Sequence, residues 1–253
     1  MRALLLDVGN SRLKWGVLDE GEIHRTGNIA MDKIQDRGLA ALTSKLPRRV
    51  DAACASNVAG TSFATRLSGV VGMHCGVDVY FARTEREAGG VTNSYRQPRR
   101  LGVDRWVAMI GARAEAGGAC LVVDAGTALT IDALDASGRH LGGQILPGVA
   151  LMAKSLANET SDIPNIQRRA SSQERGMEMF ASTTAGAVGH GAINAVVGAI
   201  ERSLHVMRDH GHDPQVFLTG GDASRILKSL GEPAVHRPNL VLQGLATLLK
   251  AQE

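Results

Sequence analysis

Two short stretches of the chain each place a carboxylate and a glycine directly after a run of apolar residues. LLLDVGNSRLKWG contains Asp7 and Gly9, and LVVDAGTALTID contains Asp124 and Gly126. A glycine in a tight turn permits a positive φ angle and lets the backbone come close to a ligand, with neighbouring N–H groups facing it. The two turns therefore predict a phosphate-binding site with a carboxylate beside it to hold a cation.

The polar residues after each glycine are suited to the same chemistry. Asn10, Ser11 and Lys14 follow the first turn, and Thr127 follows the second. Their amide, hydroxyl and ammonium groups all donate hydrogen bonds that phosphate oxygens accept. One such turn alone is interpreted as an ordinary hairpin, whereas two turns in register favour a ligand site. Neither a P-loop motif nor a dinucleotide-binding glycine motif opens a helix in this sequence.

A third candidate site ends the glycine- and arginine-rich segment EAGGVTNSYRQPRRLGVDR, where Asp104 and Arg105 stand side by side. An aspartate can accept a proton from a substrate hydroxyl, and a guanidinium binds carboxylate or phosphate groups with its planar fork. The alternative for Asp104 is an N-cap of a helix that begins at Arg105. For Arg99 and Arg100, a substrate-side anion contact and a solvated loop remain equal alternatives.

The composition is that of a globular protein with a small excess of positive charge. The 253 residues are 44% hydrophobic and 21% charged, and the net charge is +3. Aromatic residues make up only 3% of the chain, which argues against nucleic-acid binding through base stacking. No apolar run approaches the roughly 18 residues that cross a bilayer, and no signal-like segment opens the chain. We therefore expect a cytoplasmic protein without a membrane or nucleic-acid partner.

The hydrophobic pattern predicts an α/β protein built from two copies of one unit. Strands are predicted over residues 3–8, 12–18 and 23–29, and helices over 33–46 and 106–116. From residue 120 three strands separated by glycine turns begin again, so that Asp7 aligns with Asp124. Two similar sheets would enclose a cleft between two domains, where small ligands bind.

Five blocks of sequence, in the same order along the chain, resemble the type III pantothenate kinases. They are LLLDVGNSRLKWG, GVDRW, VVDAGTALTID, GGQILPG and FLTGG. The resemblance implies two duplicated ribonuclease H-like domains, as in the actin-like ATPase fold, over residues 1–115 and 116–253 with a cleft between them. It implies ATP-dependent phosphorylation of pantothenate to 4′-phosphopantothenate, the first step of coenzyme A biosynthesis.

The resemblance also implies a set of site residues. Asp104 matches the proton acceptor, and Asp124 matches the ligand of a monovalent cation, K⁺ or NH₄⁺. The residues that match ATP contacts are Asp7, Val8, Gly9, Asn10, Ser11, Arg12, Leu13, Lys14 and Thr127. Those that match pantothenate contacts are Tyr95, Gly102, Val103, Asp104, Arg105 and Thr184. Near Thr184 the chain reads His190-Gly191 where the family often has Ser-Gly.

The implied partners are ATP with Mg²⁺, pantothenate and a second copy of the chain in a homodimer. The glycine- and alanine-rich segment TTAGAVGHGAINAVVGAI is suited to close helix packing in such a dimer. Two alternatives remain: a non-catalytic regulatory protein similar to the Bvg accessory factors, and a different small-molecule kinase of the same superfamily. The two phosphate turns and the Asp104 acid favour catalysis over the first alternative.

Overall fold

The computed structural model describes residues 1–160, 163 and 180–251. Within them the chain forms two units: one comprises Met1–Gly117, Gly138–His140 and Asn239–Glu253, and the other comprises Gly118–Ser137 and Leu141–Pro238. The polar stretch at Ser171 and Ser172, for which the sequence predicts a loop, lies outside the described residues. No helix in the described part of the chain is long and apolar enough to span a membrane.

The first unit is built on a five-stranded sheet with the order β3-β2-β1-β4-β5. Its strands are β1 (Ala3–Val8), β2 (Arg12–Asp19), β3 (Glu22–Ala30), β4 (Ala52–Asn57) and β5 (Val79–Phe81). Strands β1 and β2 are antiparallel, whereas β1 and β4 are parallel. The three predicted N-terminal strands are confirmed, because their apolar residues form the core on the sheet.

The helices of the first unit depart from the prediction at one point. They are α1 (Met31–Arg37), α2 (Ala40–Thr43), α3 (Thr61–Cys75) and α4 (Val103–Glu115), and a small hairpin of β6 (Glu87–Ala88) and β7 (Val91–Thr92) precedes α4. The single helix predicted over 33–46 is wrong, because α1 ends at Arg37 and Gly38 follows it as the C-cap. This glycine has a φ angle of +71°, which a continuing helix does not allow.

The second unit repeats the sheet of the first, with the order β10-β9-β8-β11-β12. Its strands are β8 (Cys120–Ala125), β9 (Ala128–Leu134), β10 (His140–Pro147), β11 (Gln215–Thr219) and β12 (Ala234–His236), and its helices are α5 (Val149–Glu159), α6 (Thr184–Asp209) and α7 (Ala223–Ser229). Strand β8 is antiparallel to β9 and parallel to β11, as β1 is to β2 and β4. The predicted duplication is confirmed by this identical order.

The last helix, α8 (Leu240–Lys250), belongs to the first unit although it follows the second along the chain. It crosses α4 so closely that a Cβ atom on Gly244 would clash with the carbonyl oxygen of Val107. The apolar side chains of α8 are buried in this crossing. The division therefore differs from the predicted ranges 1–115 and 116–253, since residues after 238 complete the first core.

Candidate active site

The first phosphate turn is formed by the connection between β1 and β2. The Gly9 N–H donates to the Arg12 carbonyl oxygen over 3.0 Å, and the Met31 N–H donates to the Ser11 carbonyl oxygen over 3.0 Å. These two bonds fix the turn at its base and at its tip. The side chains of Asn10, Ser11 and Arg12 are exposed, and the Arg12 guanidinium donates to Oδ1 of Asn28 over 2.8 Å.

Asp7 lies in β1 just before this turn and is half-buried. Its partner across the antiparallel pair is Lys14, so the carboxylate and the ammonium group lie on the same face of the sheet. Its partner on the parallel neighbour β4 is Ser56, whose hydroxyl is buried without a hydrogen bond. Ser56 is a polar neighbour of the turn that the sequence did not reveal, because strand order cannot be read from residue types.

In the second unit, the predicted phosphate turn connects β8 to β9, and β8 pairs with its neighbours as β1 does in the first unit. Asp124 is half-buried in β8, and its partners are Thr130 on β9 and Thr219 on β11. The Gly148 N–H donates to the Thr127 carbonyl oxygen over 2.9 Å, which ties the turn to the start of α5. Thr127 itself is exposed. Asp7 and Asp124 therefore occupy equivalent positions, each at the end of a central strand beside a hydroxyl residue.

The glycines of the two turns act differently from the prediction. Neither Gly9 nor Gly126 has a positive φ angle, so that part of the prediction is wrong. A Cβ atom on Gly9 would lie 3.2 Å from the Arg12 carbonyl oxygen, and one on Gly126 would lie 3.4 Å from that of Ala128. A side chain at position 9 would therefore be crowded by the backbone of its own turn, whereas the distance at Gly126 is close to ordinary van der Waals contact.

The acceptor cluster, which we define as Tyr95, Asp104 and Arg105, lies in the first unit. Arg105 is only 6% exposed, and its guanidinium donates to the Tyr95 hydroxyl over 3.1 Å. The guanidinium carbon also lies 5.9 Å from the centre of the Tyr95 ring. Burial and two contacts with one aromatic ring hold the cation in place, so the structure brings Tyr95 to Arg105, ten residues further along the chain.

Asp104 lies in the first turn of α4, where the helix dipole favours a negative charge. The helix begins at Val103 with Gly102 as its N-cap, so the alternative in which Asp104 caps a helix beginning at Arg105 is wrong. Oδ1 of Asp104 accepts a hydrogen bond from the Arg105 N–H over 2.9 Å. A Cβ atom on Gly102 would lie 2.7 Å from this oxygen, which explains the glycine before the acid.

The loop that carries Tyr95 is held by Asn93, which the sequence did not single out. Asn93 is 1% exposed, and its amide donates to the carbonyl oxygens of Glu85 and Pro98 over 3.2 and 3.3 Å. Its Oδ1 accepts the Tyr95 N–H over 2.9 Å. One side chain thereby fixes both ends of the loop around the tyrosine.

Arg86 adds a second support to the same loop. Its guanidinium donates to the carbonyl oxygens of Asn93, Tyr95 and Arg96 over 2.8, 3.0 and 3.3 Å. Arg86, which the sequence did not single out, therefore binds the backbone of the loop. Arg99 and Arg100 are exposed on a short 3-10 turn, Pro98–Arg100, and both of their alternatives stay open.

Thr184 lies in the second unit as the first residue of α6 and is exposed. Thr183 caps the helix by accepting the Gly186 N–H over 3.0 Å, so the Thr184 hydroxyl is not used for this purpose. Asp124 and Thr127 also belong to the second unit, whereas the first turn and the acceptor cluster belong to the first unit.

The carboxylates of the two turns are suited to a cation that takes most of its ligands from a bound nucleotide. The described residues contain no group of three or more His, Cys, Asp and Glu side chains that could hold a metal ion by themselves. Mg²⁺ is commonly bound by one or two carboxylates together with substrate phosphates, and the single half-buried carboxylate at each turn suits this arrangement.

Comparisons with known proteins identify the family of the chain. The family model described as type III pantothenate kinase matches residues 3–205. The type III pantothenate kinase of Azoarcus sp. (strain BH72) is 40% identical over 250 residues, which covers 98% of this chain and 90% of that protein.

Two solved structures show the actin-like fold of the chain. One is a Campylobacter jejuni protein described as a Baf family transcriptional activator, with a TM-score of 0.62, 22% identity and 98% coverage of both chains. The other is the activator of the 2-hydroxyisocaproyl-CoA dehydratase from Clostridium difficile with bound ADPNP, with a TM-score of 0.55, 12% identity and coverage of 100% of this chain and 97% of that chain. By the family model and by its relatives, the chain belongs to the type III pantothenate kinases.

Proposed function

We propose that the chain transfers the γ-phosphoryl group of ATP to the primary hydroxyl of pantothenate and so forms 4′-phosphopantothenate, the entry to coenzyme A biosynthesis. The observation that carries this proposal is the acceptor cluster, in which an acid at a helix start lies beside a buried guanidinium held by Tyr95. Membership of the type III pantothenate kinase family supports the same substrate pair.

In this reaction Asp104 accepts the proton of the pantothenate hydroxyl as that oxygen attacks the γ-phosphorus. Asp104 lies in the first turn of α4, where the helix dipole stabilises the ionised carboxylate that accepts the proton. Arg105 binds the pantothenate carboxylate or the migrating phosphoryl group. Because its guanidinium is already held by Tyr95, little conformational entropy is lost when the substrate binds.

The two phosphate turns position ATP. We assign the phosphate contacts to Asp7–Lys14 and Thr127, because these residues form the turns at the ends of the two central strands and the residues that flank them. Asp124 binds the monovalent cation, K⁺ or NH₄⁺, through its carboxylate. Asp7 would hold Mg²⁺ that enters with ATP, and the ion would supply positive charge to offset the charge that develops on the transferred group. The protein itself supplies placement and electrostatics, which is the main requirement of phosphoryl transfer.

The active form is a cytoplasmic homodimer with the acceptor sites at the interface. One exposed face of α6 carries Gly191, Ala195 and Gly198, spaced so that they share one side of the helix. Small side chains permit a second helix to approach closely. Thr184 starts the same helix, so a dimer formed here would place a substrate-contact residue at the interface.

The experiment is a coupled ATP-consumption assay with and without pantothenate, run first in Na⁺ and then in K⁺ or NH₄⁺. ATP consumption that requires pantothenate and rises with K⁺ or NH₄⁺ supports the proposal. Turnover with another alcohol acceptor in a substrate panel, and none with pantothenate, indicates a different small-molecule kinase. Salt-sensitive DNA binding without nucleotide turnover indicates the regulatory alternative.

A further inference from the structure

A tight turn from elsewhere in the chain packs against the acceptor loop. Gly138 and Arg139 connect β9 to β10 and His140 is the first residue of β10, yet all three group with the first unit. The Thr92 N–H donates to the Gly138 carbonyl oxygen over 3.0 Å, and Thr92 forms a β-bridge with Arg139. Gly138 has a φ angle of +87°, and a Cβ atom there would clash with the Gly90 carbonyl oxygen. The turn is therefore seated on the loop by backbone contacts.

This turn delivers the imidazole of His140 to Tyr95. His140 is 0% exposed. Its ring stacks on the Tyr95 ring with centroids 5.9 Å apart and an angle of 15° between the planes. Its Nδ1 lies 3.3 Å from the Ser94 hydroxyl oxygen, at hydrogen-bond distance. The imidazole is thus fixed by burial, by a neighbouring hydroxyl and by the aromatic ring that carries the Arg105 contact.

We propose that His140 is a positioning residue for the pantothenate acceptor site. A tyrosine side chain has two rotatable bonds before its ring, so a flat neighbour that fixes the ring plane also fixes where the hydroxyl lies. The Tyr95 hydroxyl in turn holds the Arg105 guanidinium. His140 therefore acts on the acceptor through Tyr95 and Arg105, and it has no role in ATP binding. This inference rests on the proposed function of the acceptor cluster.

Two substitutions separate the ring of His140 from its polar atom. His140→Phe keeps a flat ring against Tyr95 and removes the nitrogen, whereas His140→Asn keeps a polar group near Ser94 and removes the ring. We expect His140→Asn to raise the KM for pantothenate roughly 3- to 10-fold, the range given by the loss of an aromatic pair. The KM for ATP should change less than about twofold. His140→Phe should restore most of the pantothenate KM.

A spectroscopic measurement tests the same contact without turnover. The chain has only two tyrosines, Tyr80 and Tyr95, so incorporation of 3-fluorotyrosine gives two ¹⁹F NMR signals that Tyr80→Phe assigns. Tyr80 is 41% exposed on β5 and outside the acceptor cluster. We expect the Tyr95 signal to shift or broaden in His140→Asn, because the neighbouring ring is gone. His24→Asn, an exposed histidine of β3, is the control and should leave signal and both KM values unchanged.

Ser94→Ala provides a second test if the variants of the buried histidine do not fold, because Ser94 is exposed and its replacement should be tolerated. It should shift the Tyr95 signal in the same direction as His140→Asn, by a smaller amount. An unchanged Tyr95 signal in folded His140→Asn or Ser94→Ala overturns the inference, as does an equal rise in both KM values. Wild-type protein that consumes no ATP with pantothenate refutes the proposed function instead, while the NMR measurement still decides whether His140 positions Tyr95.

Discussion

The buried guanidinium of Arg105 makes two contacts with the half-buried side chain of Tyr95. It donates a hydrogen bond of 3.1 Å to the hydroxyl, and its carbon lies 5.9 Å from the centre of the ring in a cation–π contact. A cation over an aromatic face is attracted by the ring quadrupole, and desolvation strengthens this attraction. The two side chains therefore form one binding element, and each should lose part of its effect when the other is removed.

This coupling predicts a non-additive double-mutant cycle. Arg105→Lys removes the planar fork and should raise the KM for pantothenate about 10-fold or more, whereas Tyr95→Phe removes only the hydroxyl and should raise it less. In the double variant the two effects should fall short of their sum by about 0.5–1.5 kcal/mol, because both single variants disturb the same hydrogen bond. Pantothenate KM values of the four proteins give this coupling. Strict additivity would show that the contact does not contribute to substrate binding.

Replacement of Asp104 by Asn should lower kcat about 10²- to 10⁴-fold, because the proton acceptor is lost while the shape of the side chain is kept. The dissociation constant for ATP, measured by calorimetry, should stay near the wild-type value. Asp36→Asn, an exposed carboxylate on α1, serves as the matched control and should keep full activity. Undiminished phosphorylation by Asp104→Asn would remove Asp104 from its assigned role.

Asp124→Asn should abolish the response to monovalent cations. The half-buried carboxylate provides the negative charge that K⁺ or NH₄⁺ would neutralise, and an amide carries none. The ratio of rates in K⁺ and Na⁺ should therefore fall to about 1, as follows from the loss of the ion's charged ligand. Asp209→Asn, at the exposed end of α6, should keep the wild-type ratio. A variant at position 124 that is still activated by K⁺ would place the cation elsewhere.

Two glycine-to-alanine substitutions should change stability in opposite directions. Gly244→Ala forces a methyl group into the Val107 carbonyl at the crossing of α4 and α8, and should destabilise the protein by about 1–3 kcal/mol. Gly69→Ala lies on the exposed face of α3 with open space around it, and should stabilise the protein by up to about 1 kcal/mol. Urea unfolding measures both. Equal effects of the two substitutions would contradict the close helix crossing.

Cys54 should make stability depend on pH in alkaline solution. Burial in β4 raises the pKa of its thiol to about 12, whereas an unfolded cysteine titrates near 8.5. Above that value the unfolded state loses a proton that the folded state keeps, so stability falls by up to about 1.4 kcal/mol per pH unit. The stability difference between wild type and Cys54→Ala should therefore shift steadily against the wild type from pH 8 to 10. A difference that does not change with pH would show an ordinary thiol.

The sequence predicted well those features that depend on the periodicity of apolar residues or on a local turn motif. The strands that contain Asp7 and Asp124 begin with a run of apolar residues and are followed by a glycine turn. Each strand lies where it was predicted. The break of the helix at Gly38 was missed, since glycine is also tolerated inside helices. Helix α4 was predicted three residues too late, because GVD looked like loop sequence while its backbone is already helical after Gly102.

The residues that support the acceptor cluster could not be predicted from the sequence. Arg86 and Asn93 act on backbone carbonyls and N–H groups, which every residue carries, so no residue type marks their partners. His140 meets Tyr95 only because a distant turn folds onto the loop. Charge and motif spacing indicate groups that are suited to contact a substrate, but they do not indicate the groups that hold those side chains in place.

The position of α8 has a consequence for synthesis of the protein on the ribosome. The helix that covers α4 and completes the first core is translated only after the whole second unit has been made. The apolar surface of α4 therefore stays uncovered, and the first core incomplete, until Leu240–Lys250 has left the ribosome. Because α4 carries Asp104 and Arg105 as well as the surface that α8 covers, we expect the acceptor cluster to reach its final packing only after α8 has been translated.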